Sequence, residues 1–122
     1  MDALRRGYEA LNRGDVSVVL ALLDPDIEWH EPEPSPEAGT YSGRASFERF
    51  FRSWIDSFDD FQVEPEQVVE RGDKLIAVVH QSGRGRASGV RVDARLAHVW
   101  TIKEGRAVRW EAVAAPEDAL AS

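Results

Sequence analysis

The chain contains no cysteine among its 122 residues. This absence excludes disulfide bonds, thiolate metal sites and cysteine nucleophiles, and it is typical of a cytoplasmic protein. No apolar run approaches the roughly 20 residues of a membrane-spanning helix. The first ten residues, MDALRRGYEA, lack the continuous apolar core of a signal peptide. We therefore expect one cytoplasmic domain over residues 1–122, with no membrane partner.

Positive charge is also scarce, with 15 Lys and Arg against 22 Asp and Glu and a formal net charge of −7. A surface of this sign repels phosphate backbones, so we expect no nucleic-acid partner. Segment 81–95 is a local exception, because four arginines alternate there with small or apolar residues: Arg84, Arg86, Arg91 and Arg95. We interpret them as the outward face of a strand, and we predict a homodimer that packs through this face.

Helical patterns occupy most of the first half of the chain. A one-sided apolar stripe predicts a first helix that carries Leu4, Tyr8 and Leu11. Gly14 suits the end of this helix, and Asp15 suits the N-cap of a second helix that ends in the turn Asp24-Pro25-Asp26. The strongest periodicity predicts a third helix over 44–58, and its apolar face carries Phe47, Phe50, Phe51, Trp54, Ile55 and Phe58.

Period-two patterns fill the remainder. The segment DIEWHEP (26–32) predicts a strand with Trp29 and Glu31 on one face, and the Pro- and Gly-rich segment 32–43 predicts a loop. Four further strands are predicted at 61–70, 74–84, 90–102 and 107–114. Because no βαβ alternation occurs, this order predicts an α+β fold with a mostly antiparallel sheet.

Two segments carry a family resemblance: YEALNRGDVSVVLALLDPDIEWHEP near the N-terminus and AHVWTIKEGRAVRWEAV near the C-terminus. Together with the aromatic-rich helix between them, they resemble the SnoaL-like group of the nuclear transport factor 2-like superfamily. The resemblance implies a cone-shaped α+β barrel, in which a curved sheet wraps around a long helix and N-terminal helices cap a pocket. It also implies homodimers. The superfamily includes ketosteroid isomerases, polyketide cyclases and non-catalytic binding domains, so the fold alone does not select a reaction.

Glu31 is the first candidate for catalysis. The resemblance places it where ketosteroid isomerases carry a carboxylate base before a proline, and Pro32 follows it here. Alternation puts Glu31 on the apolar face with Trp29, where loss of hydration raises a carboxyl pKa toward the range useful for proton abstraction. The alternative is that Glu31 belongs to an exposed acidic stretch with Glu28, Glu33 and Glu37.

His98 is the second candidate, because the resemblance places it at an inward histidine of the polyketide cyclases. Its strand face also carries Trp100, so we expect the imidazole to point into the core or pocket. There it could polarise a substrate carbonyl or transfer a proton. A core histidine that is bonded to a neighbouring strand is an equally open interpretation.

Other positions depart from the family pattern. The acid/base aspartate that the cyclases carry on the last strand falls at Ala112, and Glu111 points to the opposite face. The oxyanion-binding tyrosine of the isomerases falls at Gly7, with Tyr8 one position on and about 100° further around the helix.

The remaining candidates concern binding. We expect the ligand to contact aromatic side chains that alternation and periodicity direct inward: Tyr8, Trp29, Trp54, Phe58, Trp100 and Trp110. His30, Glu31, Glu33 and His80 lack metal-ligand spacing, so we expect neither a metal nor another cofactor. Two functions stay open. One is proton transfer on a small hydrophobic, carbonyl-bearing metabolite with Glu31 as base. The other is non-catalytic ligand binding or docking as a dimer.

Overall fold

The computed structural model of the protein describes residues 2–31 and 39–121. Within these ranges the order is α1 (Asp2–Asn12), α2 (Ser17–Leu22), β1 (Leu23–Glu31), β2 (Gly39–Ser42), α3 (Arg44–Asp56), β3 (Phe58–Arg71), β4 (Lys74–Gly85), β5 (Arg91–Lys103), β6 (Arg106–Val113) and α4 (Pro116–Ala121). The α+β class that the sequence predicts is confirmed.

The strands form one curved, open sheet in the order β2-β1-β6-β5-β4-β3. β1 and β6 pair in parallel, and every other neighbouring pair is antiparallel, as the strand patterns indicate. Side chains alternate between the two faces. On β5, Trp100 belongs to the main core beneath the helices, whereas Ala97 and Val99 pack on the outer face with Ala119 of α4.

Helices α1 and α2 pack together and are fixed by two polar contacts. Val16, rather than the predicted Asp15, is the N-cap of α2. The Asp15 carboxylate instead accepts hydrogen bonds from the hydroxyl and the backbone N–H of Ser17, at 2.5 and 3.0 Å, and these bonds lower the pKa of Asp15. The side-chain amide of Asn12 donates to the carbonyl of Val63 at 3.1 Å and accepts from its N–H at 2.7 Å. Asn12 therefore satisfies both backbone groups of one β3 residue and ties α1 to this edge strand.

Helix α3 supplies the centre of the core. Phe47 and Phe51 are buried, with ring centroids 4.6 Å apart. The Phe47 ring meets Trp29 and Trp110 edge-to-face, at 5.7 and 5.6 Å. Each such side chain contributes about 1.5–3 kcal/mol through burial, and edge-to-face geometry adds to it. Aromatic rings therefore fill the space between α3 and the middle of the sheet.

Two expectations near β1 are wrong. Asp24-Pro25-Asp26 does not form a turn after α2, because β1 already begins at Leu23. Proline fits there since the pairing of β1 with β6 shifts register between Leu23 and Glu28, so its missing N–H interrupts no regular ladder. The second correction concerns the loop predicted over 32–43. Its last residues, Gly39–Ser42, form the edge strand β2, paired antiparallel with β1.

Two further boundaries differ. Helix α3 ends at Asp56 rather than at residue 58, and Phe58 begins β3, with its backbone paired to Gly85. The C-terminal helix α4 was not predicted. It starts with Pro116 and carries Glu117 and Asp118 in its first turn, which are favourable residues for a helix N-terminus.

Candidate functional site

A cavity of about 210 Å³ lies between the N-terminal helices and the sheet. Helix α1 forms one wall with Ala3, Leu4, Gly7, Tyr8 and Leu11. The rest is lined by Val19, Leu22, Leu75, Trp100, Ile102, Gly105 and Ala107. Only Tyr8 and Trp100 among these described lining residues carry a polar side-chain atom. The cavity therefore favours an apolar guest.

The polar atoms of the Tyr8 and Trp100 side chains are joined in a buried network with His98. The Tyr8 hydroxyl lies 2.8 Å from His98 Nδ1, and Trp100 Nε1 donates to the same hydroxyl oxygen at 3.1 Å. Tyr8 and His98 are each only 2% exposed, and their rings stack at an interplanar angle of 18°. The network spans about 90 residues of sequence, from α1 to β5.

The proton positions in this network follow from what each group can donate. The Trp100 indole nitrogen is a donor only, so the Tyr8 oxygen must accept from it. The Tyr8 proton then requires an acceptor, and His98 Nδ1 is the one within reach in the described part of the chain. We therefore assign Tyr8 as donor to Nδ1, which places the imidazole proton on Nε2.

Burial determines the charge of both groups. It lowers the pKa of His98 to about 3, because a charged imidazole would lose its hydration there. It also raises the pKa of Tyr8 well above its usual value, although the Trp100 hydrogen bond acts in the opposite direction. At neutral pH the network is consequently uncharged, and the Trp100 N–H and the Tyr8 O–H are both engaged in hydrogen bonds within it.

Trp110 presents a different case. Its side chain is 2% exposed, and its ring centroid lies 5.1 Å from that of His98. Its Nε1 is buried and has no hydrogen-bond acceptor among the described residues. A buried donor of this kind is unusual in a folded protein and is often explained by a function or an ordered water.

The strand β1 positions the other expected catalytic residue. Glu31 ends β1, and its backbone follows His30, which pairs with Glu111 on β6. The next β6 residue, Ala112, pairs with His98 on β5. The backbones of Glu31 and His98 therefore lie at a similar level of the sheet. The side chain of Glu31 lies outside the described part of the structure, as do the side chain of His30 and the whole of Glu33.

The structure divides the expected binding residues among three places. Tyr8 and Trp100 line the cavity. Trp29 and Trp54 line a separate open groove of about 380 Å³ along α3, together with Ser46, Arg49 and Phe50. Trp110 lies in the core, and Phe58 packs against Phe61 with ring centroids 6.1 Å apart.

Several cavity residues were not singled out from the sequence. Leu22, Ile102 and Ala107 reach the cavity because α2 and the β5–β6 hairpin converge on it. Nothing in their local pattern distinguishes them from ordinary core residues. Their role depends on the register between Ile102 and Ala107, which only the folded hairpin defines.

The described residues contain no group of three or more histidines and carboxylates placed to hold a metal ion. None of the helices described is both long and apolar enough to cross a membrane.

Solved structures provide the first comparison. An NTF2-like protein from Burkholderia thailandensis is 29% identical, with a TM-score of 0.83 over 98% of this chain and 93% of that one. An NTF2-like protein of unknown function from Burkholderia pseudomallei is 27% identical, with a TM-score of 0.82 over 99% and 94%. A candidate SnoaL-like polyketide cyclase from Jannaschia is 14% identical, with a TM-score of 0.80 over 98% and 87%, which shows the fold alone.

The second comparison concerns sequence families. No curated protein matches the chain. The family model of the SnoaL-like domain, however, matches residues 4–110, which include both partners of the Tyr8–His98 hydrogen bond. With the NTF2-like fold and this match over most of its length, the chain belongs to the SnoaL-like domain family.

Proposed function

We propose that the protein binds a small, uncharged, hydrophobic molecule in the cavity between α1, α2 and the sheet. The observation that carries this proposal is the lining, which is apolar except for Tyr8 and Trp100. An apolar cavity of about 150 Å³ accommodates benzene in another protein. The cavity of about 210 Å³ therefore suits a single ring or two small fused rings.

The energetics favour such a ligand over a charged one. Filling the cavity removes apolar surface from water at about 25 cal/mol per Å². A charged group would have to lose its hydration against Leu4, Leu11 and Leu75 without gaining an ionic partner in the lining. We therefore expect neutral guests only.

Binding of indene, a neutral molecule of two fused rings, tests this proposal. Titration of the protein, followed by the chemical shifts of its ¹⁵N-labelled backbone, should locate the guest at α1, α2 and the β5–β6 hairpin. The Ala3→Trp substitution, which fills the cavity from α1, should weaken binding at least tenfold. Arg6→Trp adds the same side chain to the exposed side of α1 and is the matched control. Equal indene binding by the two variants would refute the proposal.

Proton transfer by Glu31 is a second candidate function. It is favoured by Trp110 Nε1, a buried donor whose described surroundings offer no acceptor and which could bind the oxygen of an enolate. The pairing of β1 with β6 supports it, since Trp29 lies opposite Trp110 and Glu31 follows two residues later. In this proposal Glu31 removes a proton next to a carbonyl, beside the neutral imidazole of His98.

Deuterium exchange into 2-indanone, whose acidic protons flank a carbonyl, tests this candidate. The protein in D₂O should accelerate the exchange, and Glu31→Gln should abolish the acceleration while indene binding is retained. Trp110→Phe should slow the exchange without removing it. If the exchange rate matches that of buffer, proton transfer from this ketone is refuted. If indene also fails to bind, the non-catalytic docking alternative is favoured.

A further inference from the structure

The polar part of the cavity wall consists of side chains that already bond to one another. Trp100 donates its N–H to Tyr8, and Tyr8 donates its O–H to His98. The other lining residues have aliphatic side chains or none. The described side-chain lining therefore contains hydrogen-bond donors but offers none of them to a guest.

We propose that Tyr8 determines ligand specificity by occupying the Trp100 N–H, so that the cavity accepts hydrocarbon-like rings and discriminates against ketones. This inference rests on the proposed binding function, names its ligand class and counts against the second candidate function, whose substrate is a ketone. A ketone that enters the cavity gives up the hydrogen bonds that water made to its oxygen. Without a replacement donor, that loss is not recovered.

The alternative role for Tyr8 would be to donate its hydroxyl proton to a ligand oxygen. That role requires the Tyr8 hydroxyl to turn its proton away from His98 Nδ1. The His98 side chain is only 2% exposed, so its Nδ1 would then be a buried acceptor without a donor. A buried acceptor without a donor carries its own desolvation cost. The network therefore favours the arrangement in which Tyr8 bonds His98 and the guest makes apolar contacts.

A single substitution should reverse this discrimination. Tyr8→Phe keeps the ring in the cavity wall and removes the oxygen that accepts from Trp100. The Trp100 N–H then lacks its acceptor, and a ketone oxygen can take the place of the lost hydroxyl. One recovered hydrogen bond corresponds to a fivefold to tenfold change in affinity, roughly.

Indene and 1-indanone form a suitable pair of probes, because they share a bicyclic carbon skeleton and only 1-indanone carries a carbonyl oxygen. Their dissociation constants should be measured by calorimetry on the wild type, Tyr8→Phe, and the double variant Tyr8→Phe/Trp100→Phe. The informative quantity is the ratio of the 1-indanone constant to the indene constant, since the intrinsic difference in hydrophobicity cancels between proteins.

We expect this ratio to fall by roughly fivefold to tenfold from the wild type to Tyr8→Phe, and to return in the double variant. In the Tyr8→Phe protein, 1-indanone should also move the Trp100 indole N–H signal downfield, whereas indene should not. An unchanged ratio in Tyr8→Phe overturns the inference, as does a lowered ratio that the double variant retains. These outcomes differ from failure of the proposed function, in which indene does not bind the wild type. Circular dichroism of each variant establishes that it is folded.

Discussion

The buried neutral imidazole of His98 should make the protein less stable in mild acid. Its pKa is about 3 in the folded protein, against 6.5 for an unperturbed histidine. The unfolded chain therefore binds a proton between these values that the folded chain does not bind. The stabilisation due to the neutral imidazole is complete above pH 6.5 and is lost as the pH falls toward 3.

The size of the effect follows from the pKa difference. One pKa unit corresponds to about 1.4 kcal/mol. At pH 5.0 the unfolded state has gained about 2 kcal/mol of relative stability through this histidine, and the gain reaches its limit of about 5 kcal/mol only below pH 3. These losses are a substantial fraction of the free energy of unfolding of a typical domain, which is roughly 5–15 kcal/mol.

Urea unfolding at pH 7.5, 6.5, 5.5 and 5.0 measures this loss. The wild type should be compared with His98→Gln, whose amide oxygen can still accept from Tyr8 but does not titrate. All other titrating groups are present in both proteins, so their contributions to the pH dependence cancel when the two free energies of unfolding are subtracted. The free energy of unfolding of the wild type minus that of the variant should fall by about 2 kcal/mol between pH 7.5 and 5.0. Parallel stability curves for the two proteins would refute the reasoning.

Three further predictions concern other parts of the molecule. Asp93 accepts a hydrogen bond from His80, which raises the pKa of His80, so Asp93→Asn should return it toward the ordinary value in an NMR titration; an unchanged value would contradict the assigned pairing. Gly105 has φ of +78°, and Gly105→Ala should lower the free energy of unfolding by about 1 kcal/mol, without a change in the urea dependence. Arg84 and Arg91 face each other across β4 and β5, and we propose that the protein forms a homodimer through this outer surface. Sedimentation at micromolar concentration should give a dimeric mass for the wild type and a monomeric mass for Arg84→Glu/Arg91→Glu. A monomeric wild type would exclude the dimer.

The helix and strand patterns predicted the elements that carry their own periodicity. Helix α3 was identified because its apolar residues recur at helical spacing, and only its end differs. Phe58 continues that spacing but begins β3, since an apolar side chain suits either element. Strand β2 could not be recognised locally, because it owes its extended conformation to pairing with β1. The six residues of α4 are too few for a periodic signal.

The candidate site was accessible from the sequence only in part. Alternation along β5 correctly placed His98 and Trp100 on the inner face. The apolar stripe of α1 correctly predicted that Tyr8 points inward. The family pattern instead placed the functional tyrosine position at Gly7, about 100° around the helix from Tyr8. Its hydrogen bonds depend on how α1 tilts over β5, about 90 residues later in the chain. Periodicity within α1 therefore predicts the direction of the Tyr8 side chain, but not its hydrogen-bond partners on β5.

The parallel pairing of β1 with β6 has a consequence for how the molecule is made. Glu28 and Arg109, which pair across these strands and form an ion pair at 3.3 Å, are 81 residues apart in sequence. A chain growing on the ribosome can assemble the meander β3-β4-β5 while β1 still has no neighbour on its β6 side. Closure of so long a segment is slow and comes late. Trp29 therefore pairs with Trp110 only after β6 has been synthesised, and the β6 side of β1 stays exposed in the nascent chain until then.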